Sequence, residues 1–239
     1  MFFYINAYAY LHGMMKNLKP FLTGLLCCLL MNASARQKNQ FVKIQTAQGY
    51  CIVKLYNETP VHRDNFIKLV KAHYFDATTF NRILKGFVIQ GGDQDSLYDK
   101  SKMLKPEQKW IQPEFNAALY HKRGALAMGR DANKDKASFT TQIYLVDGKT
   151  YTDEQLDGFE KKYGTHYTAA QRETYRTTGG TPFLDQNYTV FGEIVKGIDL
   201  IDKITAVKVN KDGNPDTAVW MKLTVLTDKE VTKELKGNL

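Results

Sequence analysis

Residues 80–93 read Phe80-Asn81-Arg82-Ile83-Leu84-Lys85-Gly86-Phe87-Val88-Ile89-Gln90-Gly91-Gly92-Asp93. Residues 78–90 are read as strand, bounded by the Gly91-Gly92 pair. With a period of two, Phe80 and Arg82 share one face, as do Val88 and Gln90 further on. An arginine, a glutamine and apolar neighbours would then line one surface. By pattern alone, an edge strand with a solvent arginine and a glycine turn is the favoured reading.

Outward from this stretch the chain reads as short strands with two amphipathic helices. Residues 41–56 alternate Val, Ile and Tyr with Lys and Gln, giving two strands with a turn near Gln48-Gly49. Thr59 is the expected N-cap of a helix with Pro60 at its first position, and Phe66, Leu69, Val70 and His73 fall on one face. Residues 124–129, 141–146, 188–195 and 218–226 suit further strands, and 197–206 a second helix, with a polar tail at the end. From Asp147 to Gly180 strand signals vanish. Thr152 and Thr168 each precede a glutamine by three residues, the capping-box spacing, so two short helices are expected there. A segment this short buries no core alone, which makes it an insertion on a β scaffold.

The composition is that of an ordinary globular protein: 43% hydrophobic and 24% charged residues exclude a disordered chain. Residues 1–35 differ from the rest, having no Asp or Glu. Lys16 and Lys19 precede the apolar run Pro20–Met31, and Ala33-Ser34-Ala35 follows. This is the pattern of an export signal, cleaved after Ala35, and the apolar run is too short to span a bilayer comfortably. Met14-Met15-Lys16 resembles a truer start, with residues 1–13 an over-long beginning. Leu26 before Cys27 argues against lipidation at the Cys27-Cys28 pair. Cleavage removes two lysines and takes the formal charge from +8 to +6 over residues 36–239. It also leaves Cys51 as the sole cysteine, expected to be buried and inert. A periplasmic or otherwise exported location follows, with no stable membrane insertion after cleavage.

Familiar chemical motifs are missing. His12, His62, His73, His121 and His166 are scattered and share no metal spacing. Asp131, Asn133 and Asp135 begin like a calcium loop, but Lys136 and Gln142 stand where glycine and glutamate are required. No nucleotide fingerprint or nucleophile elbow is present. Lysines are interspersed with acids, so a solvated surface is expected and no nucleic-acid partner.

The string 80–93 resembles the signature of the cyclophilins, F-H-R-x-x-x-G-F-x-x-Q-G-G-D, missing only the histidine, which is Asn81. The resemblance extends from about Phe41 to Leu226. It takes in Asn65-Phe66, Gly124–Met128, Thr141-Gln142-Ile143-Tyr144, Phe183-Leu184 and Val190-Phe191-Gly192. It implies a mainly β fold, a closed eight-stranded antiparallel barrel capped by two helices, carrying the short helical insertion at 147–180. It also implies peptidyl-prolyl cis-trans isomerase activity on proline-containing unfolded or exported polypeptides, with no cofactor or metal, by a protein expected to be monomeric.

Site residues carry over one by one. Arg82 matches the catalytic arginine and Gln90 the glutamine that orients it. Phe87 matches the floor of the proline pocket, and Val88 a usual methionine. Gly129 and Arg130 match positions whose backbone binds the substrate chain, and Gln142 a second contacting glutamine. Tyr144 replaces a usual phenylalanine, Phe183 the tryptophan of cyclosporin-sensitive members, and Tyr188 a histidine; Leu184 matches the pocket leucine. The substitutions at Asn81, Val88 and Tyr188 leave room for a second reading, a non-catalytic chaperone that holds proline segments. A third makes the insertion a docking or covering element, since it ends just before Phe183-Leu184.

Overall fold

The computed structural model describes residues 38–94, 99–105 and 109–236, so the export leader read over residues 1–35 lies outside the described residues. Its frame is an antiparallel sheet in the order β10-β3-β4-β8-β6-β9-β2-β1-β11. The strands are β1 (Gln40–Thr46), β2 (Gly49–Leu55), β3 (Thr79–Leu84), β4 (Val88–Gly91), β6 (Ala125–Met128), β8 (Ile143–Val146), β9 (Val190–Lys196), β10 (Val219–Trp220) and β11 (Lys222–Val225). A separate pair, β5 (Trp110–Ile111) and β7 (Ser138–Phe139), lies beside it. β10 and β11 stand at opposite ends of the order, yet Met221 alone separates them in sequence. Val219 pairs with Phe80 and Val225 with Val42, so this last stretch closes the sheet on itself. Taken as one interrupted strand, β10 and β11 complete the expected eight. Closure leaves no long free edge to recruit another chain.

Strand alternation builds two apolar layers. Ile89, Leu126, Met128, Ile143 and Leu145 point into the barrel with Val42, Ile44, Val53 and Phe191. Val88, Ala125, Ala127, Tyr144 and Val146 form a second cluster on the other face of the same strands. All four residues of β6 and of β8 are therefore buried, which explains their unbroken apolar runs. Helix α1 (Pro60–Lys71) adds Phe66, Leu69 and Val70 to the barrel cluster, and α4 (Asp199–Thr205) adds Leu200, Ile201 and Ile204. Each such side chain contributes about 1.5–3 kcal/mol by leaving water.

Four local expectations need correction. Residues 78–90 form a hairpin, not one strand, with the turn at Lys85-Gly86-Phe87. Gly86 takes φ 75°, and its N–H donates to the Asp147 carboxylate at 2.7 Å. Thr59 holds the N-cap position with Pro60 first in α1, but its side chain makes no cap hydrogen bond; a carboxylate from far along the chain takes that role, the N–H groups of Val61 and His62 donating to Glu114 at 3.0 and 2.9 Å. His73 lies past the end of α1 at φ 54°, exposed and bonded to Asp76, instead of on the apolar face. The polar tail is a helix, α5 (Asp228–Leu235), started by a Thr227/Glu230 capping box. It is tied down where Glu234 accepts from Lys43, Lys196 and Tyr50 and where Leu235 is buried.

The insertion forms as expected. Helices α2 (Asp153–Tyr163) and α3 (Ala169–Thr177) begin in capping boxes at Thr152/Gln155 and Thr168/Gln171. Arg172 of α3 reaches Asp153, Asp157 and Glu160 of α2. Tyr151, Leu156, Tyr167 and Tyr175 pack together and against Tyr120, Phe159 and Phe183. At the neck, Lys149 and Gly180 exchange both backbone hydrogen bonds. A Cβ at Gly180 would sit 2.2 Å from the His121 carbonyl, so only glycine lets the neck lie this close.

Candidate active site

β3 and β4 place Arg82 directly opposite Gln90. The ladder slips by one residue between Phe80 and Arg82. This bulge overturns the expectation that the two share a face: Phe80 is fully buried in the barrel, while Arg82 turns to a cleft on the outside. A bulge beside a functional site commonly re-aims a side chain in this way. Asn81, the extra residue, donates to Asp93 at 3.0 Å and so spends its amide on the motif's own end. Gly91 and Gly92 are needed where they stand. A Cβ on Gly91 would meet the Thr79 carbonyl at 2.2 Å, and Gly92 adopts φ 78° against the Phe75 ring.

The cleft has a volume of about 420 Å³. Arg82 and Gln90 form one side, where the guanidinium donates to Gln90 Oε1 over a long 3.5 Å. Phe87, Val88, Tyr144, Leu184 and Tyr188 supply apolar and aromatic walls. The Phe87 carbonyl accepts from the N–H groups of Asp147 and Gly148, which fixes that ring's backbone at the hairpin turn. Arg130 lies 4.7 Å over the Tyr188 ring, which meets Tyr144 edge-on at 6.1 Å. Gln142 packs on Gly129, where any side chain would collide with its amide 2.1 Å away.

Two expected contacts differ. Phe183 does not line the cleft; it stacks on Phe87 at 5.7 Å and joins it to Phe159 of the insertion. Gly129 has no free donor for a substrate chain, since its N–H donates to the Gln142 carbonyl at 2.7 Å and its carbonyl accepts from Phe139. Arg130, beside it, lines the cleft. Asp131 and Phe139 also line the cleft, and sequence reasoning missed both. Asp131 belongs to a polar turn, where its carboxylate accepts from Asn133. Phe139 stacks on Trp110 at 4.7 Å, a contact between distant segments with no local signal.

The family model for cyclophilin type peptidyl-prolyl cis-trans isomerases matches residues 41–225. The chain belongs to this family. A peptidyl-prolyl cis-trans isomerase of Acinetobacter baylyi is 29% identical over 186 residues, covering 77% of this chain and 81% of the relative. A Staphylococcus aureus relative is 28% identical over 193 residues, with 77% and 90% covered. The cyclophilin fold is matched by the crystal structure of a Cryptosporidium parvum cyclophilin type isomerase at a TM-score of 0.60 and 21% identity, over 80% of this chain and 99% of that one. A cyclophilin from Hirschia baltica gives 0.54 at 16% identity, over 80% and 77%.

In this cyclophilin the cleft rests on fixed polar groups, and no cluster of three or more metal-binding side chains occurs among the described residues. The Tyr144 hydroxyl is held well above its ordinary pKa, first by burial and then by Tyr188 and Asp185, so it stays protonated. Cys51 is buried with its thiol pushed up to about 12, mainly by desolvation, as befits an inert side chain.

Proposed function

We propose that this cyclophilin accelerates rotation of Xaa-Pro bonds through Arg82, acting on unfolded or newly exported chains. The observation that carries the reading is one cleft in which a guanidinium and an amide, Arg82 and Gln90, face a wall of Phe87, Val88, Tyr144, Leu184 and Tyr188. Rotation is slow because amide resonance imposes a barrier of about 18–20 kcal/mol. Before proline the two isomers differ by only about 0.5–1 kcal/mol, so both are populated and interconvert slowly. In the twisted state the nitrogen is pyramidal and regains its lone pair. A guanidinium donating to that lone pair binds the twisted state better than the planar one, which is the requirement for catalysis. Arginine suits this because it is always charged and presents fixed donors. The apolar wall seats the prolyl ring and keeps out water that favours the polar planar amide. Lowering the barrier by about 8 kcal/mol accelerates rotation roughly a millionfold.

Gln90 orients Arg82, Gln142 and the Arg130 backbone hold the substrate chain, and Phe183 acts from behind Phe87. No group titrates in this scheme, so the rate is expected to be nearly flat between roughly pH 6 and 8. A bell-shaped profile centred there counts against it. The direct test is isomerisation of a short Xaa-Pro peptide by the wild type and by Arg82→Ala. A wild-type rate equal to the spontaneous one favours a proline-segment-binding chaperone. The export reading is tested separately, by mass spectrometry of the amino terminus of the protein recovered from cells.

A further inference from the structure

Behind the cleft runs a continuous buried polar line. It starts in the insertion, where the Tyr175 hydroxyl donates to Asp185 Oδ2 at 2.5 Å. The other carboxylate oxygen, Oδ1, accepts from the backbone N–H of His121 at 2.8 Å and from its Nδ1 at 2.6 Å. A carboxylate only accepts, so in the neutral ring the proton sits on Nδ1 and Nε2 has a free lone pair. That lone pair receives the Tyr144 O–H at 2.9 Å. The imidazole also lies parallel to the Tyr144 ring, 6.0 Å away and 11° from coplanar orientation. Tyr175 and His121 are fully buried and Asp185 and Tyr144 nearly so. Of these residues, only Tyr144 lines the cleft.

We propose that Tyr175, Asp185 and His121 are positioning residues for the isomerase site, through which the 147–180 insertion fixes the Tyr144 ring against the incoming proline. The proposal rests on the isomerase reading above. Each link constrains the next. Asp185 sets the imidazole's tautomer and plane, and the imidazole holds the Tyr144 hydroxyl, so the ring cannot swing sideways out of the pocket wall. A ring already immobilised loses no freedom when the proline docks, so the line favours substrate binding more than the rotation step. The same geometry explains why the neck of the insertion sits hard against His121. Thr181 N–H donates to the His121 carbonyl at 2.8 Å, and Gly180 packs on that same carbonyl. The insertion is thereby joined to the residue that holds Tyr144.

The test is a double-mutant cycle on the full chain, assayed with an Xaa-Pro tetrapeptide. Tyr175→Phe alone is expected to raise KM about fivefold with kcat little changed, the order of effect for one side chain that must be ordered on binding. Tyr144→Phe cuts the line at the cleft. In that background, adding Tyr175→Phe should change KM no further, because the two residues act through one connection. The same fivefold change in both backgrounds, or no change in the wild type, overturns the proposal and leaves the isomerase reading intact. A wild type at the spontaneous rate overturns both. A second measurement needs no substitution: saturating the wild type with tetrapeptide should shift the ring resonances of Tyr175, since coupling between two sites is reciprocal. Tyr175 signals that stay fixed while those of Tyr144 move also overturn it.

Discussion

The two walls of the cleft are held in different ways. On one, Arg82 has a single long hydrogen bond, 3.5 Å to Gln90, and is half-buried. On the other, Tyr144 ends a line whose bonds measure 2.5, 2.6 and 2.9 Å, all away from solvent. A buried, satisfied network is rigid and costly to interrupt, whereas a partly solvated arginine keeps freedom to follow a moving atom. The nitrogen it is proposed to stabilise pyramidalises and shifts during rotation. On the proposed mechanism, the loose wall carries the chemistry and the rigid one the shape.

Arg82→Ala should break this comparison most clearly. Activity is expected to fall about a hundredfold, the order lost when one donor to a transition state is removed. The urea midpoint should barely move, since no apolar core contact is lost. A large fall in the midpoint would mean that the loose wall also carries the fold.

Asp185→Asn tests the opposite wall. Its carboxylate takes three donors from His121 and Tyr175, and an amide cannot accept from all of them. Stability is expected to fall by about 2 kcal/mol, measured by urea unfolding. An unchanged midpoint would show that the line is no stiffer than the arginine side.

This wall was also the part of the site least legible in the sequence. Arg82, Phe87 and Gln90 lie within one hairpin, so a local string identified them. His121 and Tyr175 lie 64 and 10 positions from Asp185 in sequence, and no periodicity relates them. The same distinction runs through the fold. The capping boxes of α2 and α3 were readable because both partners are three residues apart. The cap of α1 was not, because Glu114 comes from 52 residues away and displaces the local candidate Thr59. The hairpin at Lys85-Gly86-Phe87 was missed because its Gly turn lies inside an otherwise unbroken apolar run. The bulge at Asn81 was missed because a one-residue slip leaves no mark in composition.

Gln90→Ala sharpens the loose wall. It removes Arg82's one side-chain partner but leaves the guanidinium in place. Turnover of the tetrapeptide should drop several-fold, about 1 kcal/mol in the barrier, with most of the loss in kcat because the arginine is less well aimed. A loss as great as that of Arg82→Ala would mean that Gln90 itself contacts the reacting bond.

The smallest effect comes from pH, and it extends the comparison to a second rigid line. Glu114 Oε2 accepts from His62 Nδ1 at 2.6 Å, and His62 Nε2 lies 3.0 Å from Ser138 Oγ, next to Phe139 of the cleft. Carboxylate, imidazole and hydroxyl stand in the order of a hydrolytic triad, but Ser138 is 1% exposed and can reach no substrate. The line's role is structural: it caps α1 and anchors β7. Burial lowers the pKa of His62 below its ordinary 6.5, and the opposing pull of Glu114 does not restore it. The unfolded chain therefore takes up a proton that the fold refuses. Stability is full above about pH 6.5 and declines as pH falls below it, towards the lowered value in the fold. Thermal melts at pH 7.5 and 5.5 should show the lower midpoint at 5.5, with a smaller difference in His62→Gln. Because neither His62 nor Glu114 lines the cleft, the activity of the fully folded protein should stay level across the same range. Activity falling in step with the melt at temperatures far below the midpoint would mean that this second line, like the first, acts on the cleft.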